Sequence, residues 1–334
     1  MKNPKKIVCL GGGTGLSVVL SGLKKYPVDL TAVVTMFDSG GSSGKLRKEY
    51  GILPPGDIRQ CLVALATKKG LAQRFNSRYS QGLLSGHAVG NIEIKDIAII
   101  KGINESIRIC SEKLGVEGKI VPVTLDSSDV KVILKDGEKL EDEESIVNCE
   151  NLSEIGIERL FLDPSVKENP EAVSAIENAD LIVIGPGKFY TSIIPNFLIS
   201  GICEAIKKAK AKKVFVCNLM TQEGNTDGFS VEDFLAELEK YLGKNTINYV
   251  IFNTGKLSAE LEKEVKKVFP GAEFIKYNEN LLKKENFIGK DLLDCDIRKL
   301  DINDTLVQGT NQRTMVLHNP DKLAKIILNL CKPR

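Results

Sequence analysis

Short, almost wholly apolar runs alternate along this chain with longer segments of helical periodicity. Ile7–Leu10, Leu30–Met36, Leu181–Ile184, Val214–Cys217, Tyr249–Phe252 and Phe274–Tyr277 are the strand candidates. Each is brief and rich in β-branched residues, the pattern of strands covered on both faces. Between them the spacing of apolar residues predicts helices over 16–25, 58–67, 89–114, 195–209, 231–241 and 259–268, with a last helix over 321–330. Strands and helices in strict alternation imply parallel strands joined by crossover helices, hence an α/β fold with a mostly parallel sheet.

One stretch breaks that rhythm. From Gly118 to about Leu162 the chain reads KIVPVTL, DVKVILKDGEKL, ESIVN and IGIERLFL, all strand-like. Asp136-Gly137 between two alternating segments predicts a hairpin, because glycine accepts the positive φ of a tight turn. Residues 118–162 therefore read as a small antiparallel β insertion within a single domain spanning 1–334. The sequence has no internal repeat and no low-complexity segment.

Composition narrows the classes. With 46 Lys and Arg against 44 Asp and Glu, the net charge is +2, and no basic cluster suggests nucleic acid as a partner. No apolar run approaches the ~18 residues needed to span a bilayer, and the polar Met1–Lys6 stretch does not read as a signal peptide. The expectation is a cytoplasmic protein without a membrane partner. Eight cysteines, at 9, 61, 110, 149, 203, 217, 295 and 331, include no C-x-x-C pair and read as reduced, mostly buried small hydrophobes. Only two histidines occur, His87 and His318, so no zinc site is expected.

The chemistry lies in the glycine-bearing loops. Gly11-Gly12-Gly13-Thr14-Gly15 follows a predicted strand and opens a helix. Residues without Cβ let backbone N–H groups approach a phosphate, and a helix N-terminus adds partial positive charge. The dinucleotide fingerprint is incomplete, since Leu16 stands where a final Gly or Ala belongs. Asp38-Ser39-Gly40-Gly41-Ser42-Ser43-Gly44-Lys45 is not a P-loop: Ser39 replaces its first glycine and Leu46 its magnesium-binding hydroxyl. It reads as a flexible hydroxyl-rich loop with an acid at the strand end, suited to ribose hydroxyls. Asp57, in Pro54-Pro55-Gly56-Asp57-Ile58-Arg59, is expected as a helix N-cap and as a metal or ligand contact. His87 in Ser85–Asn91 is read as a structural hydrogen-bonder, with Asn91 nearer the ligand. Gly185-Pro186-Gly187-Lys188-Phe189-Tyr190-Thr191-Ser192 offers a lysine and hydroxyls for phosphate or sugar. Cys217–Gly228 offers Asn218 and Thr221 to a base or sugar. Loops at the carboxyl ends of parallel strands line one crevice, so Gly11–Gly15, Asp38, Ser42, Ser43, Asn91, Gly185, Gly187, Lys188, Tyr190, Asn218 and Thr221 form the candidate nucleotide and phosphate site.

The segments GGGTGLS (11–17), DSGGSSGKLR (38–47), PPGDIRQCLVALA (54–66), SGHAVGN (85–91), GPGKFYTSIIPN (185–196) and CNLMTQEGNTDG (217–228), in this order, resemble the CofD-like family, in particular its bacterial gluconeogenesis-factor (YvcK-type) branch. The resemblance implies a Rossmann-like three-layer sandwich, a UDP-sugar ligand, and a role in carbon metabolism under gluconeogenic growth and in cell shape. It also brings in archaeal relatives, the 2-phospho-L-lactate transferases, which act on a nucleotide diphospho donor with magnesium; by that analogy Asp38 or Asp57 would hold Mg. The chain departs from the family pattern at Ala88 and Lys188, each where Ser is usual, at Glu223 in place of proline, and at Leu317 in place of arginine.

Three functions compete at this stage: a UDP-sugar-binding regulatory protein without turnover, a phosphotransferase using Mg, and an NAD-dependent dehydrogenase. The missing third small residue of the fingerprint and the lack of an evident hydride-transfer acid/base pair lower the last, although NAD shares the diphosphate and ribose of a UDP-sugar. A second copy of the chain is admitted as a partner, with no interface indicated.

Overall fold

The computed structural model describes residues 4–294, 305–306 and 316–331. Its main sheet has seven strands, all parallel: β1 (Lys5–Gly11), β2 (Val28–Val34), β3 (Lys119–Pro122), then β7 (Leu181–Ile184), β8 (Lys212–Val216), β9 (Tyr249–Asn253) and β10 (Phe287–Lys290). A second, antiparallel sheet holds β4 (Asp129–Leu134), β5 (Lys139–Leu140) and β6 (Ile157–Asp163). Across the main sheet the order is β10-β9-β8-β7-β1-β2-β3. The chain builds outward from β1 in one direction, then returns and builds outward in the other, so β1 and β7 flank the topological switch point. In such sheets ligands bind beyond the carboxyl ends of the strands at that point.

The three-layer α/β expectation is met. All four residues of β7 are buried, as both faces of a central parallel strand require. The Asp136-Gly137 turn joins β4 to β5 with Val132 opposite Leu140, and Gly137 has φ 92°. Cys9, Cys61, Cys110, Cys203 and Cys217 are buried free thiols, while Cys149 and Cys331 are half-buried; Cys295 lies outside the described residues. Among the described residues no single helix is long and apolar enough to cross a membrane.

Four sequence-based expectations are corrected. Lys119–Pro122 does not belong to the antiparallel insertion: it pairs parallel with β2, Thr31 opposite Lys119, as the third strand of the main sheet. A four-residue apolar run carries no signal of which sheet it joins. The predicted helix 89–114 is two helices, Val89–Lys101 and Ile103–Leu114, broken at Gly102, whose φ of 81° no helix accommodates. Phe274–Tyr277 is no strand; it makes two single bridges, Met220 with Phe274 and Ser230 with Lys276. The seventh strand is instead β10, whose half-buried edge position leaves it little hydrophobic pattern. Finally, the loop 38–45 is largely helical, since a helix spans Gly41–Tyr50.

Helix Gly13–Leu23 packs on the last helix, Pro320–Leu330, through Gly22, where an added Cβ would overlap the Pro320 carbonyl oxygen and lie 3.1 Å from the Ala324 Cβ. Gly22→Ala should therefore lower stability by about 1–3 kcal/mol through overpacking, read as a lower urea midpoint with unchanged slope. Gly70→Ala, on the exposed helix Lys69–Asn76 with open space around it, should not.

Candidate functional site

The loops that leave β1, β2, β7 and β8 converge on one cavity of about 570 Å³ at the switch point. The close approach of two of them is dictated by missing side chains. A Cβ on Gly15 would overlap the Pro186 carbonyl oxygen, and one on Gly12 would overlap both the Asp57 carboxylate and the Thr35 methyl. Gly13 has φ 58° and starts helix Gly13–Leu23 directly; its N–H donates to the Asp57 carboxylate, and the helix N-terminus, through Thr14 and Gly15, faces the cavity.

The second loop is held by side-chain bonds. Asn218 Nδ2 donates to the Gly187 carbonyl (2.8 Å), and the Gly187 N–H donates back to Asn218 Oδ1 (3.2 Å). Asn218 thus clamps the loop after β7. Thr221 plays a similar part further on, its Oγ1 accepting from the Glu273 N–H at 2.9 Å. On the other side Arg59, 1% exposed, donates from Nε to Asn91 Oδ1 (2.8 Å), and Asn91 Nδ2 donates to Ser42 Oγ (3.0 Å). Ser42 Oγ is in turn 2.9 Å from His87 Nδ1. This chain orients a buried guanidinium at the cavity wall, and His87 serves as its outer hydrogen-bonding member.

Three carboxylates meet here: Asp38, Asp57 and Glu143. Burial, then repulsion from Glu143, pushes Asp38 up to about 6; burial, then repulsion from Asp38 and Glu143, pushes Asp57 up to about 7. The Gly40 N–H donates to Asp38 at 3.2 Å, and the Lys188 ammonium opposes both shifts. Asp57 is not the expected N-cap. It sits in the first turn of helix Gly56–Leu65 without a capping bond, Pro55 being the cap, and its carboxylate instead meets Gly12 and Gly13.

A different group of atoms sets this cavity apart from the rest of the described structure. Among the described residues seven buried side-chain polar atoms have no hydrogen-bond partner. Five of them belong to residues that line this cavity: Thr35 Oγ1, Glu143 Oε2, Thr191 Oγ1, Gln222 Nε2 and His318 Nε2. Burial holds the His318 imidazole neutral, down to about 4, with its other nitrogen bonded to the Cys217 backbone. Buried polar atoms without a protein partner are rare and costly, and their concentration here makes this cavity the candidate site.

Of the residues chosen from sequence, all but Gly11, Gly185 and Tyr190 line the cavity. Gly11 and Gly185 instead permit the turns at φ 151° and 76°. Tyr190 points elsewhere: it is 5% exposed, stacks edge-on against Phe189 at 5.2 Å, and neighbours Glu237. Arg59, Gln60, Glu143, Thr35 and an apolar arm of Leu219, Met220, Val268, Phe269, Pro270, Val316 and Leu317 were not foreseen. Arg59 sat in view beside Asp57 in the PPGDIR segment, whereas nothing in the insertion marked Glu143.

The model of the family described as 2-phospho-L-lactate transferase CofD matches residues 7–289. The chain belongs to the CofD family. Within that family its relatives are named gluconeogenesis factors. The Bacillus subtilis protein is 37% identical over 338 residues, covering 99% of this chain and 100% of its own. The Halalkalibacterium halodurans one is 44% identical over 251 residues, 74% of this chain and 77% of its own. A crystal structure of a Bacillus halodurans protein superposes with a TM-score of 0.85 at 38% identity, covering 97% of this chain and 99% of that one. The family match and the relatives' names together bear out the resemblance seen in the loop motifs, to the CofD-like family and to its gluconeogenesis-factor branch.

The raised carboxylates give a signed pH dependence. A native carboxyl that keeps its proton above the ordinary value of 3.8 favours folding at low pH. That contribution disappears as pH climbs toward about 7, because the native state then holds protons the unfolded chain has released. Asp57→Asn, which keeps an oxygen for the Gly13 N–H, should raise the melting temperature of the ligand-free protein. The gain should be larger at about pH 8 than at about pH 4; equal gains at both would contradict the burial of this charge.

Proposed function

We propose that this chain is a gluconeogenesis factor that binds a nucleotide sugar, a UDP-sugar in the first instance, in the cavity at the switch point. The observation that carries the reading is the gathering of partnerless buried polar atoms around a glycine-lined helix N-terminus. A diphosphate suits the backbone donors of Gly12–Gly15 and the partial charge of helix Gly13–Leu23, with Lys188 and Arg59 supplying full charges. The apolar arm around Phe269 and Leu317 suits a base or the flat face of a sugar, and Gln222 and His318 supply unfilled bonding positions. By this reading the bound state regulates carbon metabolism under gluconeogenic growth and cell shape. The protein acts inside the cytoplasm. NAD fits the same diphosphate logic and is a competing ligand.

A second reading, phosphotransfer like that named for the family, is favoured by the family match and by the carboxylate pair. Mg²⁺ is normally held by one or two carboxylates together with substrate phosphates, and Asp38 and Asp57 fit that mode. Bound there, the ion would neutralise charge on the diphosphate bridge. The chain's own residues would orient the donor on the Gly12–Gly15 backbone and keep water out of the apolar arm.

Saturating UDP-N-acetylglucosamine should raise the melting temperature, by linkage worth about 2.7 kcal/mol at a hundredfold excess over Kd, and more than NAD does. Gly13→Val places a β-branched residue at a φ of 58° on the cavity wall and should remove the shift while circular dichroism stays native. An unchanged shift in that variant would move the ligand elsewhere. Metal-dependent release of nucleoside monophosphate from a diphospho donor, in the presence of an acceptor alcohol, would establish the second reading.

A further inference from the structure

We infer that Lys188 is a built-in counter-cation, so that this chain binds a nucleoside diphosphate without a divalent metal. The inference rests on the diphosphate reading of the cavity and adds its cation requirement. A diphosphate entering beside Asp38, Asp57 and Glu143 meets three carboxyl groups, and positive charge is needed to hold it there. Asp38 and Asp57 would offer a metal two carboxylates and leave the rest of its shell to the ligand's phosphates and water. What the site contains is an ammonium. Lys188 Nζ lies 3.0 Å from Glu143 Oε1, and Glu143 is itself 3% exposed with its other oxygen unpartnered. A buried carboxylate with half its acceptor capacity unused is a costly arrangement unless a positive group stays beside it.

The ammonium is also held in place. Lys188 follows Gly187, which Asn218 grips through both of its backbone groups, and it lines the same cavity as Gly12–Gly15. Its field reaches both aspartates. A lysine fixed at one end by the loop clamp and at the other by Glu143 is a cation the site does not have to take from solution. A serine at this position would leave the site needing one from solution.

The test is calorimetric titration of UDP into the full chain, with Mg²⁺ and with EDTA, for the wild type, Lys188→Ser and Lys188→Arg. The wild type should bind equally in both buffers. Lys188→Ser should bind about tenfold or more weakly in EDTA, the effect of one lost charge contact, and recover with Mg²⁺. Lys188→Arg should stay independent of metal, a result that a merely structural lysine would not produce selectively. Wild-type binding that requires Mg²⁺ overturns the inference and leaves the diphosphate reading standing, as does equal binding by Lys188→Ser in both buffers. No binding of UDP or of UDP-N-acetylglucosamine by the wild type in either buffer overturns both.

Discussion

Where β1 and β7 run side by side, the two loops leaving them meet with no space for a side chain between them. Gly15 lies against the Pro186 carbonyl, and Gly12 is wedged between Asp57 and Thr35. The rest of the site follows from that contact. Because the loops touch, helix Gly13–Leu23 begins directly after Gly12, with its N-terminus on the cavity wall. For the same reason Lys188, at the end of the second loop, stands beside carboxylates from two other parts of the chain. Close backbone packing here is a positioning device, made possible by glycine.

The electrostatics of the cavity are unusual for a protein interior. Three carboxylates, a buried guanidinium and an ammonium are drawn out of water together, and the hydrogen bonds they make leave several polar atoms unmatched. Such an arrangement opposes folding in the ligand-free protein. It persists because the surrounding strands and helices are buried and bonded well enough to hold it. On the proposed reading, a ligand would meet donors and charges already fixed, with little reorganisation left to make.

The small antiparallel sheet takes part in this too. Its turn and pairing follow the alternation of side chains seen in the sequence, but its consequence is tertiary. The helix that follows β5, Glu143–Val147, brings Glu143 under the main sheet's carboxyl edge, and the Glu144 N–H donates to Ser39 Oγ at 3.0 Å. An insertion that reads as decoration in one dimension supplies the buried anion that anchors Lys188.

Local features were readable in the chain itself. The periodicity of β1, β7 and β8, the helix over 259–268 and the hairpin at Asp136-Gly137 depend on neighbours within a few residues. The glycine-rich loops announced themselves in the same way, and their attachment to strand ends implied a shared crevice. What lay beyond reach depended on contacts between distant segments. The sheet membership of Lys119–Pro122, the edge strand β10 and the withdrawal of Tyr190 toward Glu237 are set by packing. Arg59 and Glu143 needed three dimensions for a related reason. A charged residue is ordinarily solvated, and only burial among other charges, which one-dimensional spacing cannot express, turns it into part of a site.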